Sequence, residues 1–270
     1  MLKFISFGSG SSGNCYYLFT ATDGLLIDTG IGIRTLKKYF KEYGLSFSNV
    51  HNILITHDHA DHVKSVGSLS CEYNLPVYTT EKVHEGIGRN YCVHRKVSPE
   101  MKRFVEKGDT FMVGGFTVTT FGVPHDSADN VGYCIECEGV TFCLMTDAGC
   151  VTDEMKAFIG KADYLVIEAN HDEEMLKGGP YPEHLKDRIM SDSGHLSNKV
   201  CGYALAENMS ERLKKVWLCH LSEDNNHPEL ARKTVESILG AHGIITGTDL
   251  ELEVLKRKVP SGIHELTPEN

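Results

Sequence analysis

The chain has 270 residues, 41% of them hydrophobic and 24% charged. At this length roughly 70–75% of the unfolded surface can be buried, which excludes a disordered or fibrous chain and one that needs covalent staples to hold a core. Twenty-seven basic against 37 acidic residues leave a formal charge of −10, which speaks against a surface built as a whole to attract nucleic acid or anionic membrane, while leaving room for a local positive site such as a bound metal.

In chain order, β-forming runs come first, at residues 2–7, 14–20 and 24–28, the last two joined by a turn at Thr22-Asp23-Gly24. A helix is predicted from about Ile33 to Tyr43, an apolar strand over Asn52–Thr56 and a helix from about His62 to Tyr73. The middle is strand-rich: residues 110–121 fold back at Gly114-Gly115, and 131–138 and 140–146 flank Glu138-Gly139. After Asp147 the pattern alternates, with helix 152–160, strand 163–168, helices 182–191 and 197–210, strand 215–219 and helix 228–242. No internal repeat, low-complexity linker or sharp composition shift interrupts it, so residues 1–270 read as a single α/β domain with sheets packed together and helices outside.

Nine cysteines is an odd number, and their spacing has no small-framework pattern. The start, MLKFISFGSG, lacks an apolar run before a small-residue cleavage site. No stretch approaches the ~18 apolar residues of a membrane span. A reducing cytoplasm with free thiols follows, with no membrane association. Cys134 and Cys137 have C-x-x-C spacing but sit in an alternating strand, where positions three apart face opposite ways, so a redox or zinc role is not expected.

Residues 8–13, GSGSSG, fit G-x-G-x-x-G after a strand, and Asp28 ends a later one, as in a dinucleotide site. The stretch that follows, NCYYLFTATDG, is rich in β-formers and too short for a crossover helix with its loops. The Rossmann reading fails. What remains is a loop whose backbone N–H groups can approach an anion, or a plain hairpin loop.

The strongest signal is His57-Asp58-His59-Ala60-Asp61-His62, between the strand NILIT and a helix. Five ionisable side chains in six residues suit neither a core nor an ordinary turn. Alternating His57 and His59 can point one way while Asp61 and His62 turn to a neighbouring point, giving donors for two adjacent cations. Further donors stand just past apolar strands: His125 after TVTTFGV, Asp147 after VTFCLM, His220 after VWLC and Asp28 after LLI. Each alone reads as a turn or cap. Together they mark one rim of a sheet.

These motifs resemble the metallo-β-lactamase superfamily, with its H-x-H-x-D-H motif and later His, Asp and His at 57–62, 125, 147 and 220. SGSSGN at 9–14, EANHD at 168–172, SGHLSN at 193–198 and HLSEDNN at 220–226 narrow the resemblance to the YycJ/WalJ-like exonuclease group, related to tRNase Z and RNase J enzymes. The resemblance implies a four-layer αββα sandwich and two divalent metal ions, zinc, manganese or iron. It assigns one metal to His57, His59 and His125, the other to Asp61, His62 and His220, and the bridge to Asp147. Asp28 would support the ligand loop by hydrogen bonding.

Two cations ~3.5–4 Å apart can generate hydroxide at neutral pH and stabilise an in-line displacement on phosphorus. The expected nucleophile is a bridging hydroxide oriented by Asp61, with His195 as general acid; Ser12, Asn14, Ser197 and Asn198 are candidate phosphate contacts. Ser197 equally reads as the N-cap of the next helix. The favoured function is 5′-to-3′ hydrolysis of DNA, with nucleic acid as substrate and no stable protein partner inferred. A glyoxalase-II-like thioester hydrolase, a small-molecule or cyclic phosphodiesterase and a catalytically silent metalloprotein are the alternatives. Asp147 speaks against a lactam hydrolase, and the chain is too short for an added flavin domain. The helices between Asp147 and His220 leave no room for the RNase J insertion. The clusters Lys102-Arg103, Lys214-Lys215 and Lys256-Arg257-Lys258 read as solvated surface, and His51, His94, His227, His242 and His264 as unattached to any motif.

Overall fold

The computed structural model describes residues 1–268. Its elements are β1 (Leu2–Gly8), β2 (Cys15–Phe19), β3 (Gly24–Ile27), α1 (Ile33–Glu42), β4 (Asn52–Leu54), α2 (Ala60–Val63), α3 (Val66–Tyr73), β5 (Val77–Thr79), α4 (Glu81–Arg89) and β6 (Lys102–Phe104). They continue with β7 (Thr110–Val113), β8 (Phe116–Gly122), β9 (Val131–Cys137), β10 (Val140–Met145), α5 (Asp153–Lys161), β11 (Tyr164–Glu168), α6 (Glu173–Gly178), α7 (Glu183–Ile189), α8 (Asn198–Asn208), β12 (Lys215–Cys219), α9 (Pro228–Ala241), β13 (Glu251–Val254) and β14 (His264–Leu266).

The strands form two seven-stranded mixed sheets, ordered β14-β1-β2-β3-β4-β5-β6 and β13-β12-β11-β10-β9-β8-β7. Strand alternation sorts the apolar side chains into three buried layers. Phe4, Tyr16, Leu18 and Ile27 of the first sheet meet Phe142, Leu144, Val166 and Trp217 of the second. Their neighbours Ile5, Tyr17, Leu26 and Ile53 face α1, α3 and α4 through Leu36, Phe40, Leu69 and Val83. Cys143, Met145, Leu165 and Leu218 face α5, α8 and α9 through Ile159, Leu205 and Val235. The order is helices, sheet, sheet, helices: the αββα sandwich. Because both faces of each sheet are covered, the central strands read as unbroken apolar runs. Cys134 belongs to the outer layer and Cys137 to the inner one, so the pair does face opposite ways.

Local chemistry sets the boundaries. The β9–β10 hairpin turns at Glu138-Gly139, both with positive φ, as a tight twisted turn requires. Side chains of Thr80, Thr152 and Ser197 cap α4, α5 and α8 by accepting a backbone N–H. The single helix expected over 62–73 is instead two. It breaks at Lys64-Ser65, where Ser65 donates its N–H to Thr29 O and its hydroxyl to Ile31 O. The break lets His62 turn inward while α3 lies against the outer core.

Direction decides where the site forms. β3 to β6 run parallel, as do β10 to β13, and β1 and β8 share their sheets' direction through two antiparallel pairings each. All these strands therefore end at one rim. The rims of the two sheets are joined by Val131 N donating to Thr56 O and His220 N donating to Ser9 Oγ.

Leu144 is fully buried between the sheets. Leu144→Ala is expected to cost about 2–5 kcal/mol in urea unfolding; a loss below about 1 kcal/mol would contradict burial at that layer.

Candidate metal centre

Every donor past a strand end lies on that shared rim. Asp28 follows β3, His57 lies three residues past β4, His125 follows β8, Asp147 follows β10, and His220 follows β12. Asp28, Asp147 and His220 have φ of 58, 53 and 53°, three of the five non-glycine residues with positive φ among the described residues. Asp and His tolerate the left-handed region better than most residues, at a cost of about 1–3 kcal/mol each. Here that conformation reverses the chain as it leaves the sheet.

The loop at 57–62 is held by backbone bonds from two sides. Thr29 N donates to His62 O, Asn14 N to Asp61 O, and Gly30 N to Asn14 O. Gly30 lies so close that an alanine Cβ there would overlap the Asp61 carbonyl. Beneath the loop, the buried Asp28 accepts from Thr56 N (2.9 Å), Thr56 Oγ1 (2.9 Å) and His62 Nδ1 (2.7 Å).

Hydrogen bonds at Nδ1 define which ring nitrogens point inward. His57 Nδ1 donates to Thr56 Oγ1 (3.0 Å), His125 Nδ1 to Gly194 O (3.0 Å) and His220 Nδ1 to Glu168 Oε1 (3.0 Å). With His62 tied to Asp28, four imidazoles turn Nε2 inward, that of His62 meeting the Asn14 amide and that of His220 meeting Asp61 Oδ2. The resulting donors fall into two adjoining groups: His57 with His59 and His125, and Asp61 with His62 and His220, each with its ligand atoms within 4.8 Å of one another. Asp147 lies between them, Oδ2 3.2 Å from His62 Nε2 and Oδ1 3.8 Å from His125 Nε2.

These residues fit cations. His57 Nε2 is buried and has no partner. His59 Nδ1 and His125 Nε2, whose other nitrogen already carries the donated proton, face each other at 3.3 Å. One buried nitrogen without a partner beside two ring nitrogens that meet only each other and nearby carboxylates makes a poor apolar core and a good metal ligand set. Burial and the neighbouring imidazoles push His57 well below the usual histidine range. At His62 and His220 burial acts in the same direction, but Asp147 and the other carboxylates overcome it, raising His220 to about 10. Cations would replace those protons.

Glu168, named only as part of EANHD, proves central. It ends β11, is fully buried, and accepts from His195 Nδ1 (2.8 Å), His220 Nδ1 (3.0 Å), Ala148 N (2.9 Å) and Leu196 N (3.1 Å). Burial alone would raise its pKa, yet the charge and hydrogen bonds of His195 and His220 bring it down to about 2. Its one sequence signal was the one shared by Asp147 and His220, an ionisable residue where an apolar strand stops. His195 is correspondingly raised: burial opposes its charge, and Glu168 more than compensates.

The expected substrate contacts are redistributed. Asn14 is fully buried, its amide donating to Gly10 O and Asp61 Oδ2 and meeting His62 Nε2 at 2.8 Å, so it braces the ligand loop instead of reaching for phosphate. Asn198 is buried too, paired through its amide with Asn226. Ser197 Oγ caps α8 and donates to Glu173. Ser12 is exposed in the glycine-serine loop. In that loop the N–H groups of Ser9, Gly10, Gly13 and Asn14 are bonded within the protein. Of the three basic clusters, Lys256-Arg257-Lys258 lies at this rim, Lys256 O accepting from Ser9 N and Arg257 donating to Ser222 O. Lys214-Lys215 opens β12 at the opposite end.

The fold and this rim of histidines and carboxylates define the class: the chain belongs to the β-lactamase superfamily, whose domain model matches residues 24–220. Among its relatives are exodeoxyribonuclease YycJ of Bacillus anthracis, 37% identical over 97% of this chain and 98% of that protein, and exodeoxyribonuclease WalJ of Streptococcus pneumoniae, 37% identical over 93% of each. Within the superfamily it is thus YycJ/WalJ-like. Zn(2+)-bound PqqB from Methylobacterium extorquens has the same fold, with a TM-score of 0.72 over 96% of this chain and 99% of that one at 16% identity.

Two outcomes test the centre. Loading chelated protein with divalent metal at about 100 times its dissociation constant should raise Tm by roughly 5–10 °C; an unchanged Tm would contradict the fit. Gly30→Ala should lower bound metal at least about ten-fold by displacing the Asp61 backbone, read by elemental analysis of the folded variant. Metal content equal to the parent's would contradict the close approach.

Proposed function

We propose that the chain is a metal-dependent exodeoxyribonuclease acting from the 5′ end; the pair of adjoining donor groups with Asp147 between them carries the metal-dependent hydrolysis, and the nearly full-length likeness to two exodeoxyribonucleases supports DNA as the substrate. His57, His59 and His125 would hold one divalent cation and Asp61, His62 and His220 the other. Bound there, the pair supplies activated water at neutral pH and charge stabilisation for in-line displacement at phosphorus. Zinc, manganese and iron all suit imidazole with carboxylate.

The protein's own groups supply the rest. Asp61, more open to the cleft than Asp147, orients the attacking water through its carboxylate. His195 is about one-fifth exposed and holds its Nδ1 proton on Glu168, leaving Nε2–H to protonate the departing oxygen. Arg188, at the cleft mouth and paired with Asp126, and Arg257, beside Ser222, offer charge to the flanking phosphates. Binding is therefore local and weakens with salt.

Both sheets contribute donors, which supports reading residues 1–270 as one catalytic unit. All nine cysteines are free, and no helix among the described residues is long and apolar enough to cross a membrane; the thiols support a reducing cytoplasmic setting. The thioester alternative is less favoured, because the two exodeoxyribonucleases align along nearly the whole chain.

Metal-loaded protein should degrade 5′-end-labelled duplex DNA and leave a glutathione thioester intact; thioester turnover without nuclease activity would overturn the reading. Asp61→Ala is expected to abolish turnover and lower metal content. His195→Ala should slow turnover about 10²–10⁴-fold with both metals retained, and metal loss in that variant would refute the proton-donor role.

A further inference from the structure

His195 is a wall between two recesses. Toward the donor groups, a recess of about 210 Å³ is lined by Asp126, Tyr181, Arg188, His220 and Ser222. A second one, of about 180 Å³ and open to solvent, is lined by His171, Glu173, Lys177, Met190 and Val200. No proposed metal ligand lines the second recess, and His195 is shared by both linings.

The second recess combines three features that a solvated groove does not need. Met190 and Val200 leave apolar side chains uncovered, each 42% exposed. His171 is 2% exposed, yet its Nδ1 has no hydrogen-bond partner. Its backbone is held by Asn198 N donating to His171 O at 2.8 Å. Burial lowers His171 to about 4, which leaves the ring neutral near pH 7, with one donor and one acceptor. Glu173, whose oxygens also accept from Ser197 Oγ and Lys199 Nζ, lines the same space with a carboxylate and Lys177 with an ammonium. A simple anion would meet the first and a simple cation the second. A flat apolar ring with donors and acceptors on its edge suits them all.

We propose that this recess receives the base of the nucleotide on the leaving side of the scissile phosphodiester, its faces against Met190 and Val200 and its edge toward His171 and Glu173. The assignment rests on the nuclease reading. It follows from the position of His195: a group that protonates the departing oxygen has the departing nucleoside beside it, and His195 lines this recess as well as the one that holds His220. A recess of this size takes one base, which suits release of one nucleotide at a time.

Calorimetric titration of the metal-loaded protein with a deoxynucleoside 3′-monophosphate, deoxyribose 3-phosphate and inorganic phosphate separates base binding from phosphate binding. The nucleotide should bind about ten-fold tighter than the abasic phosphate. Val200→Trp and Met190→Trp, both at exposed positions and both filling the recess, should reduce that preference to within about two-fold. Equal affinity for nucleotide and abasic phosphate in the parent protein, or a preference that survives in both folded variants, would overturn the proposal. Parallel assay on labelled DNA keeps the two readings apart: a base preference without DNA cleavage would refute the nuclease reading and leave the subsite standing.

Discussion

The buried carboxylate of Asp28 is the interaction on which the rest of the site depends. It sits where β3 ends and gathers Thr56 N, Thr56 Oγ1 and His62 Nδ1. Through Thr56 it also sets the tautomer of His57. An ionised carboxylate taken out of water is costly unless its lone pairs are filled, and here each bond that fills them also aims a donor at the cleft. Glu168 repeats the arrangement on the second sheet, with His195, His220 and two backbone N–H groups around it. The site is thus held by one buried carboxylate per sheet, and its imidazoles are oriented from behind.

This arrangement needs a sandwich whose strand ends coincide. Parallel strands bring the chain out repeatedly at the same rim, and covered faces leave that rim as the place where polar side chains can converge. The left-handed residues Asp28, Asp147 and His220 are where the chain reverses there. Their strain of about 1–3 kcal/mol each is tolerable because the surrounding backbone bonds over-determine the loops. The Gly30 approach to Asp61 belongs to the same logic: two loops from different strands are held so close that neither moves alone.

Much of this was legible in the sequence because its signals were dense or periodic. The HDHADH run has no reading as core or turn, and long apolar strands such as VTFCLM announce themselves by length. Donors at the ends of apolar strands mark the rim. What escaped lacked such signals. β5, β6 and β14 have three residues each, too few for a period, and α4 carries Gly86 and Gly88, which weaken its helical pattern. Glu168 is a lone acid after YLVI and joins the site through contacts from remote segments. Asn14 and Asn198 carried amides that suit phosphate, and tertiary packing engaged those amides inside the protein. The break at Lys64-Ser65 likewise depends on Thr29 and Ile31, over thirty residues away.

On the proposed reading, one rim would hold two adjoining cations on separate donor sets with Asp147 between them. Anomalous diffraction from crystals of the metal-loaded protein tests it most directly. Two peaks are expected, one coordinated by His57, His59 and His125, the other by Asp61, His62 and His220, with Asp147 reaching both. A single peak, or peaks away from these residues, would contradict it.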